Sequence, residues 1–115
     1  MLSRLRFYNN NALFLVSNSL DTNRKKEMKK VFKYKLEILD YQEIELPIDS
    51  QILSVQMQHK QLCLWALVNP SNPKQIKTIR VAGTGHPIID TNLKFIGTVQ
   101  QLKGHLIWHV FEVET

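Results

Sequence analysis

Residues 51–70 read QILSVQMQHKQLCLWALVNP. Two apolar runs flank the polar joint His59-Lys60-Gln61, and Pro70 closes the second run. Each run is too short for a stable helix and is bounded by turn-forming residues, so the stretch reads as a β-hairpin. In the first arm Leu53, Val55 and Met57 alternate with Ser54, Gln56 and Gln58, giving one apolar and one wet face. The second arm is apolar on both faces, Leu62, Leu64, Ala66 and Val68 against Cys63, Trp65 and Leu67. That is the pattern of a central strand covered on both sides.

The same period extends outward. Before the hairpin, 31–38 alternates Phe32, Tyr34, Leu36 and Ile38 with Val31, Lys33, Lys35 and Glu37, and Asp40-Tyr41 makes a turn. Residues 42–46 point Ile44 and Leu46 inward and Glu43 and Glu45 outward, ending at Pro47 and the loop Pro47–Ser50. After the hairpin comes the loop Asn69–Pro73, then strands over 76–82, 93–100 and 106–114. Gly83–Pro87 breaks the first of these, 88–92 is a connector, and Lys103-Gly104 joins the last two. Seven short strands without an amphipathic helix define an all-β domain, a small antiparallel β-barrel or sandwich. The bulkiest residues place the core at Trp65, Trp108, Phe95, Phe111, Leu53 and Val55. Trp65→Ala is accordingly expected to cost several kcal/mol.

At 115 residues with 43% apolar content the chain supports one domain. The lone cysteine, Cys63, excludes an intrachain disulfide and sits mid-strand as a small buried hydrophobe. A reducing cytoplasm suits this usage. No apolar run approaches the ~18 residues of a membrane span. Arg4 and Arg6 precede ALFLV at 12–16, but that run falls short of the ~7–15 residues of a secretory signal core.

The net charge of +5 is confined to one end: residues 1–30 hold seven basic and two acidic residues, and the remainder holds eight of each. Residues 31–115 therefore carry no bias toward phosphate backbones. The leader, 1–30, lacks a sustained period and is expected to be poorly organised or a short helix packed on the domain. Two further readings stand beside these. Met28 is the true start and the preceding residues are translated upstream sequence, or the leader is a basic arm for nucleic acid or an acidic partner.

Candidate chemistry is sparse. Gly83-Thr84-Gly85-His86-Pro87 brings flexible backbone and an imidazole together, as a phosphate or small-molecule loop would. It lacks the third glycine or Gly-Lys-Ser/Thr ending and the following helix, so a tight turn using positive φ is the favoured reading. His105 and His109 share a strand face about 13 Å apart, too far for one metal. No Cys-x-x-Cys or His-Glu-x-x-His spacing occurs, and no metal or cofactor is expected. His109 reads as a hydrogen-bonded histidine that could pair with His86. No Gly-x-Ser-x-Gly elbow exists, and Glu43 and Glu45 read as edge-protecting charges, so no catalytic set is assigned. Gln56, Gln58 and Gln61 form a polar, uncharged patch beside the hairpin, a solvated face or a surface for a protein partner.

The strings KYKLEI (33–38), ELP (45–47), ILSVQMQ (52–58), LCLWALV (62–68), GTGHPI (83–88), FIGTVQ (95–100) and WHVFE (108–112) resemble a family of small bacteriophage and prophage proteins known only as a domain of unknown function. The likeness spans Met28 to about Glu112 and leaves the leader outside it. It implies a phage or bacterial cytoplasmic setting and carries over no reaction, ligand or catalytic residue. The expectation is a non-enzymatic binding module for a host or phage protein, with host takeover or anti-defence as its role. The alternative is a small-molecule or nucleotide binder, or an enzyme, using Gly83–Pro87 and His109.

Overall fold

A computed structural model describes residues 28–115. The expectations for residues 1–27 lie outside the described residues. Seven strands follow in order: β1 Lys30–Leu36, β2 Tyr41–Pro47, β3 Gln51–Gln58, β4 Gln61–Val68, β5 Lys74–Gly83, β6 Leu93–Gln101 and β7 Leu106–Val113. The hairpin β3–β4 turns on two residues alone. His59 (φ 49°) and Lys60 (φ 67°) are both left-handed, as a turn matched to strand twist requires. A second left-handed corner, Leu102, Lys103 and Gly104 (φ 51°, 55° and 91°), joins β6 to β7.

The strands form two antiparallel sheets, β1-β4-β3 and β2-β5-β7-β6. They stack as a sandwich and do not close into a barrel. On one side β3 and β6 run beside each other. On the other, the connection 37–40 carries the chain from the edge of the three-stranded sheet to the edge of the four-stranded one. The side chain of Gln42 secures that crossing, accepting from Glu37 N at 2.9 Å and donating to Glu37 O at 2.7 Å.

The core lies between the sheets. Leu62, Leu64, Ala66 and Val68 of β4 meet Ile79 and Val81 of β5 and Val110 of β7, all essentially inaccessible to solvent. Leu36, Leu46, Val55 and Val99 complete it. Burying a Leu, Ile or Val side chain is worth roughly 1.5–3 kcal/mol, so this aliphatic set dominates stability.

Most of the expected core is corrected. Val55 is buried and Trp108 packs against the core, but Trp65, Phe95, Phe111 and Leu53 lie elsewhere. Trp65 pairs with Lys33 and Ser54 on the outer face of β4, half-buried. Trp65→Ala therefore removes less packing than Leu64→Ala. Leu53 is 46% exposed because a bulge between Ile52 and Ser54 inserts it as an extra residue, and Ile52 takes the inward position. A matching bulge between Phe95 and Gly97 leaves Phe95 outward, 58% exposed and edge-on to Phe111 at 5.6 Å. β4 is central as expected, yet no described strand covers its outer face. Cys63 is buried there among Lys33, Lys35, Gln58 and Gln61.

Gly97 marks where the sheets come closest. A methyl group at its Cα would lie 2.9 Å from Val55 Cγ2, so only a residue without Cβ lets β6 approach β3 this tightly.

Candidate functional site

The Gly83–Pro87 segment is a turn. Gly85 has φ 89°, a region closed to most residues with a side chain, and His86 N donates to Gly83 O at 3.1 Å. No helix follows, so no helix N-terminus is aimed at a phosphate. His86 folds back over Gly83, where a Cβ would meet its ring at 3.1 Å and Trp108 at 3.2 Å. A shallow recess of about 200 Å³ opens beside it, lined by His86, His105, Leu106 and Trp108.

His109 does not line that recess. It stands on the outer face of β7 opposite Ala82 and Thr98. Its Nε2 is 2.7 Å from Thr84 Oγ1 and its Nδ1 is 3.0 Å from Thr98 Oγ1. Both ring nitrogens are thus engaged, and the imidazole ties the turn to β6. Thr84, His109 and Thr98 lie in the order of a hydroxyl, a base and an orienting group, with a hydroxyl where a carboxylate would hold the ring. Among the described residues no three His, Cys, Asp or Glu side chains gather as a metal site. Trp65 stands on the outer face of the other sheet, apart from His86 and His109.

The glutamines separate by role. Gln61 donates to Leu36 O at 2.7 Å and Leu62 O at 3.1 Å, securing the start of β4. Gln58 Oε1 accepts from Lys33 Nζ at 2.8 Å across the outer face. Gln56 remains exposed. Around them the outer face of the three-stranded sheet carries Trp65 and Leu67 in its middle row, Val31, Lys33 and Lys35 on β1, and Ser54 and Gln56 on β3, while the bulged Leu53 lines a recess with Phe95 at the β3–β6 seam. Val31 is well exposed, and no carboxylate occurs among the outward positions of these three strands.

The strongest polar cluster was not legible as one. Arg80, on the outer face of β5, is 7% exposed because the connector after Gly83 folds over it. Its Nη1 donates to Val81 O at 2.7 Å, its Nε faces Asp90 Oδ1 at 3.4 Å, and its guanidinium lies 5.0 Å over the Tyr41 ring. Tyr41 OH donates to Asp90 Oδ2 at 2.7 Å. That hydrogen bond, with help from Arg80, holds the Asp90 carboxyl below the usual carboxylate range; the same bond, with burial and the Asp90 charge, pushes the Tyr41 phenol above its own against the opposing charge of Arg80. The triangle pins the connector to the sheet. In sequence, Arg80 is simply the polar member of an alternating strand and Asp90 a turn residue. Nothing local signals that they meet.

Residues 28–115 match the family described as a domain of unknown function, DUF7352, and the chain belongs to that family. No curated protein and no solved structure matches it. Among the described residues no helix is long and apolar enough to cross a membrane.

Proposed function

We propose that this protein is a non-enzymatic binding module that engages another protein through the outer face of its three-stranded sheet. The reading is carried by one observation: that face leaves Val31 exposed and Trp65 and Leu67 half-buried, set among Lys33, Lys35 and Gln56 with no acidic residue at its outward strand positions. Contiguous apolar surface rimmed by polar groups marks interaction sites. The space between the sheets is filled by aliphatic side chains, which leaves the outer surfaces to act. The complementary partner presents an apolar patch with a carboxylate rim. The family resemblance favours a phage or prophage protein working in the host cytoplasm, where a host protein is the natural target. The test is affinity capture from host lysate with three baits: the native chain, Val31→Arg/Gln56→Arg on this face, and Phe95→Arg on the outer face of the other sheet. A protein retained by the first and third and lost by the second supports the reading. No such protein, or one lost equally from both variants, refutes it.

The alternative is a ligand-binding or enzymatic role for Gly83–Pro87 with His109, and the 2.7 Å Thr84–His109 contact favours it. A general base activates a hydroxyl at this distance. Incubation with an acyl or phosphoryl ester probe, followed by intact-mass measurement, decides this. An adduct that disappears in Thr84→Val supports it, and an unmodified native chain removes it.

A further inference from the structure

Two sheet edges lie open on the same side of the sandwich, and their chemistry is complementary. The three-stranded sheet ends at β1 and the four-stranded sheet at β2, and neither strand has a ladder partner beyond that edge among the described residues. β1, KVFKYKL, carries Lys33 and Lys35 on its outer face. β2, YQEIELP, carries Glu43 and Glu45 on its outer face. The inward positions are apolar on both: Phe32, Tyr34 and Leu36 on β1, Ile44 and Leu46 on β2. Phe32 is 38% exposed although it faces inward, since nothing described continues the sheet past it.

We propose that β1 of one copy pairs antiparallel with β2 of a second copy, and that a two-fold axis along the strands closes both junctions at once. Face matching fixes the register. Lys35 falls opposite Glu43 of the second copy and Lys33 opposite its Glu45, while Tyr34 meets Ile44 and Phe32 meets Leu46. A one-residue slip would set lysines against inward apolar residues. The two-fold geometry gives this register independently. The short connection 37–40 holds the end of β1 level with the start of β2 in each copy. Rotation about an axis along the strands keeps those levels, so Leu36 lies near Gln42 of the partner copy. Each three-stranded sheet then continues into the other copy's four-stranded sheet.

The competing pairings are penalised. β1 against β1 centres Lys33 on Lys33, and β2 against β2 sets Glu43 opposite Glu45, and like charges directly opposed destabilise a sheet. Lysines on an edge also deter indiscriminate pairing. Lys33 donates to Gln58 across β4, and pairing exchanges this exposed hydrogen bond for one to the incoming carboxylate. Because closure uses the β1 and β2 edges of both copies, this junction stops at two copies. This association uses the strand edges and stands whether or not the outer face binds another protein.

The test is light scattering or sedimentation of the full chain at low ionic strength, with charge reversals at exposed positions. The native chain is expected to be a dimer that weakens as salt is raised. Lys33→Glu/Lys35→Glu and Glu43→Lys/Glu45→Lys are each expected to be monomeric with an unchanged far-UV spectrum. An equimolar mixture of the two is expected to restore the dimer, since both junctions are again complementary. A native chain that stays monomeric to millimolar concentration overturns the proposal. So do reversed variants that dimerise as well as the native chain, or a mixture that remains monomeric.

Discussion

Replacing Gly97 by alanine tests how the two sheets are spaced. The added methyl would meet Val55 Cγ2 at 2.9 Å, below any ordinary carbon–carbon contact. Val55 is 5% exposed and packed in the core, so Val55 and β6 must separate by roughly half an ångström or more to restore contact near 3.5–4.0 Å. Overpacking of this kind costs about 1–3 kcal/mol. The lower chain entropy of alanine in the unfolded state returns about 0.5–1 kcal/mol. The net expectation is a loss of about 1–2 kcal/mol. At ~4–8 °C per kcal/mol for a domain of this size, that lowers Tm by roughly 4–16 °C. Val55→Ala alone should cost about 2 kcal/mol through the cavity it leaves. Combining the two puts one methyl into that cavity, so the double variant should be more stable than the sum of the singles by about 1 kcal/mol. Urea denaturation of the four proteins closes the cycle. Additive energies, or a Gly97→Ala protein as stable as the native chain, would refute the close approach of β3 to β6.

Three other outcomes follow from the same structure. His59→Asn/Lys60→Gly supplies the residues that a two-residue left-handed hairpin turn prefers, and calorimetry should show a gain of about 1 kcal/mol. In acid, Asp90 stabilises the fold while ionised. Its folded-state pKa lies below the unfolded value, so that contribution is present above the ordinary carboxylate range and is lost as pH falls through the lowered folded value. Tyr41→Phe removes the largest cause of the shift, and carboxyl NMR should find Asp90 titrating at higher pH, with acid unfolding beginning earlier. Cys63 is sealed between sheet side chains, so Ellman's reagent should react only at the rate of unfolding.

Much of the architecture was legible because period-two alternation and turn residues are local signals. The strand spans 42–46, 51–58 and 62–68 lie within a residue or two of β2, β3 and β4, and the inward Ile44 and Leu46 with outward glutamates stand as read. The choice of face was not local. β4 is apolar on both sides, and its sequence does not say which side meets the second sheet. Size favours Trp65 inward, yet the smaller Leu64 and Ala66 fill the core. Leu53 was misplaced by a bulge, which reverses parity without leaving a compositional mark. At the candidate site, Thr84 and His109 were both visible, but their contact, and the partnership of Thr98, arise only from the pairing of β7 with β6. Arg80, Tyr41 and Asp90 escaped for the same reason, since long-range register brings them together.

The distribution of charge over the sandwich has a consequence for handling the molecule. Lys33 and Lys35 lie on one broad surface and Glu43 and Glu45 on the other, while Arg80 is compensated by Asp90 and Asp40. Residues 31–115 are formally neutral, yet these lysine and glutamate pairs set opposite signs on the two outer faces. Faces of opposite sign offer one side to an anion-exchange resin and the other to a cation-exchange resin, whatever the net charge. An isoelectric point therefore gives no warning of how it behaves at a charged surface.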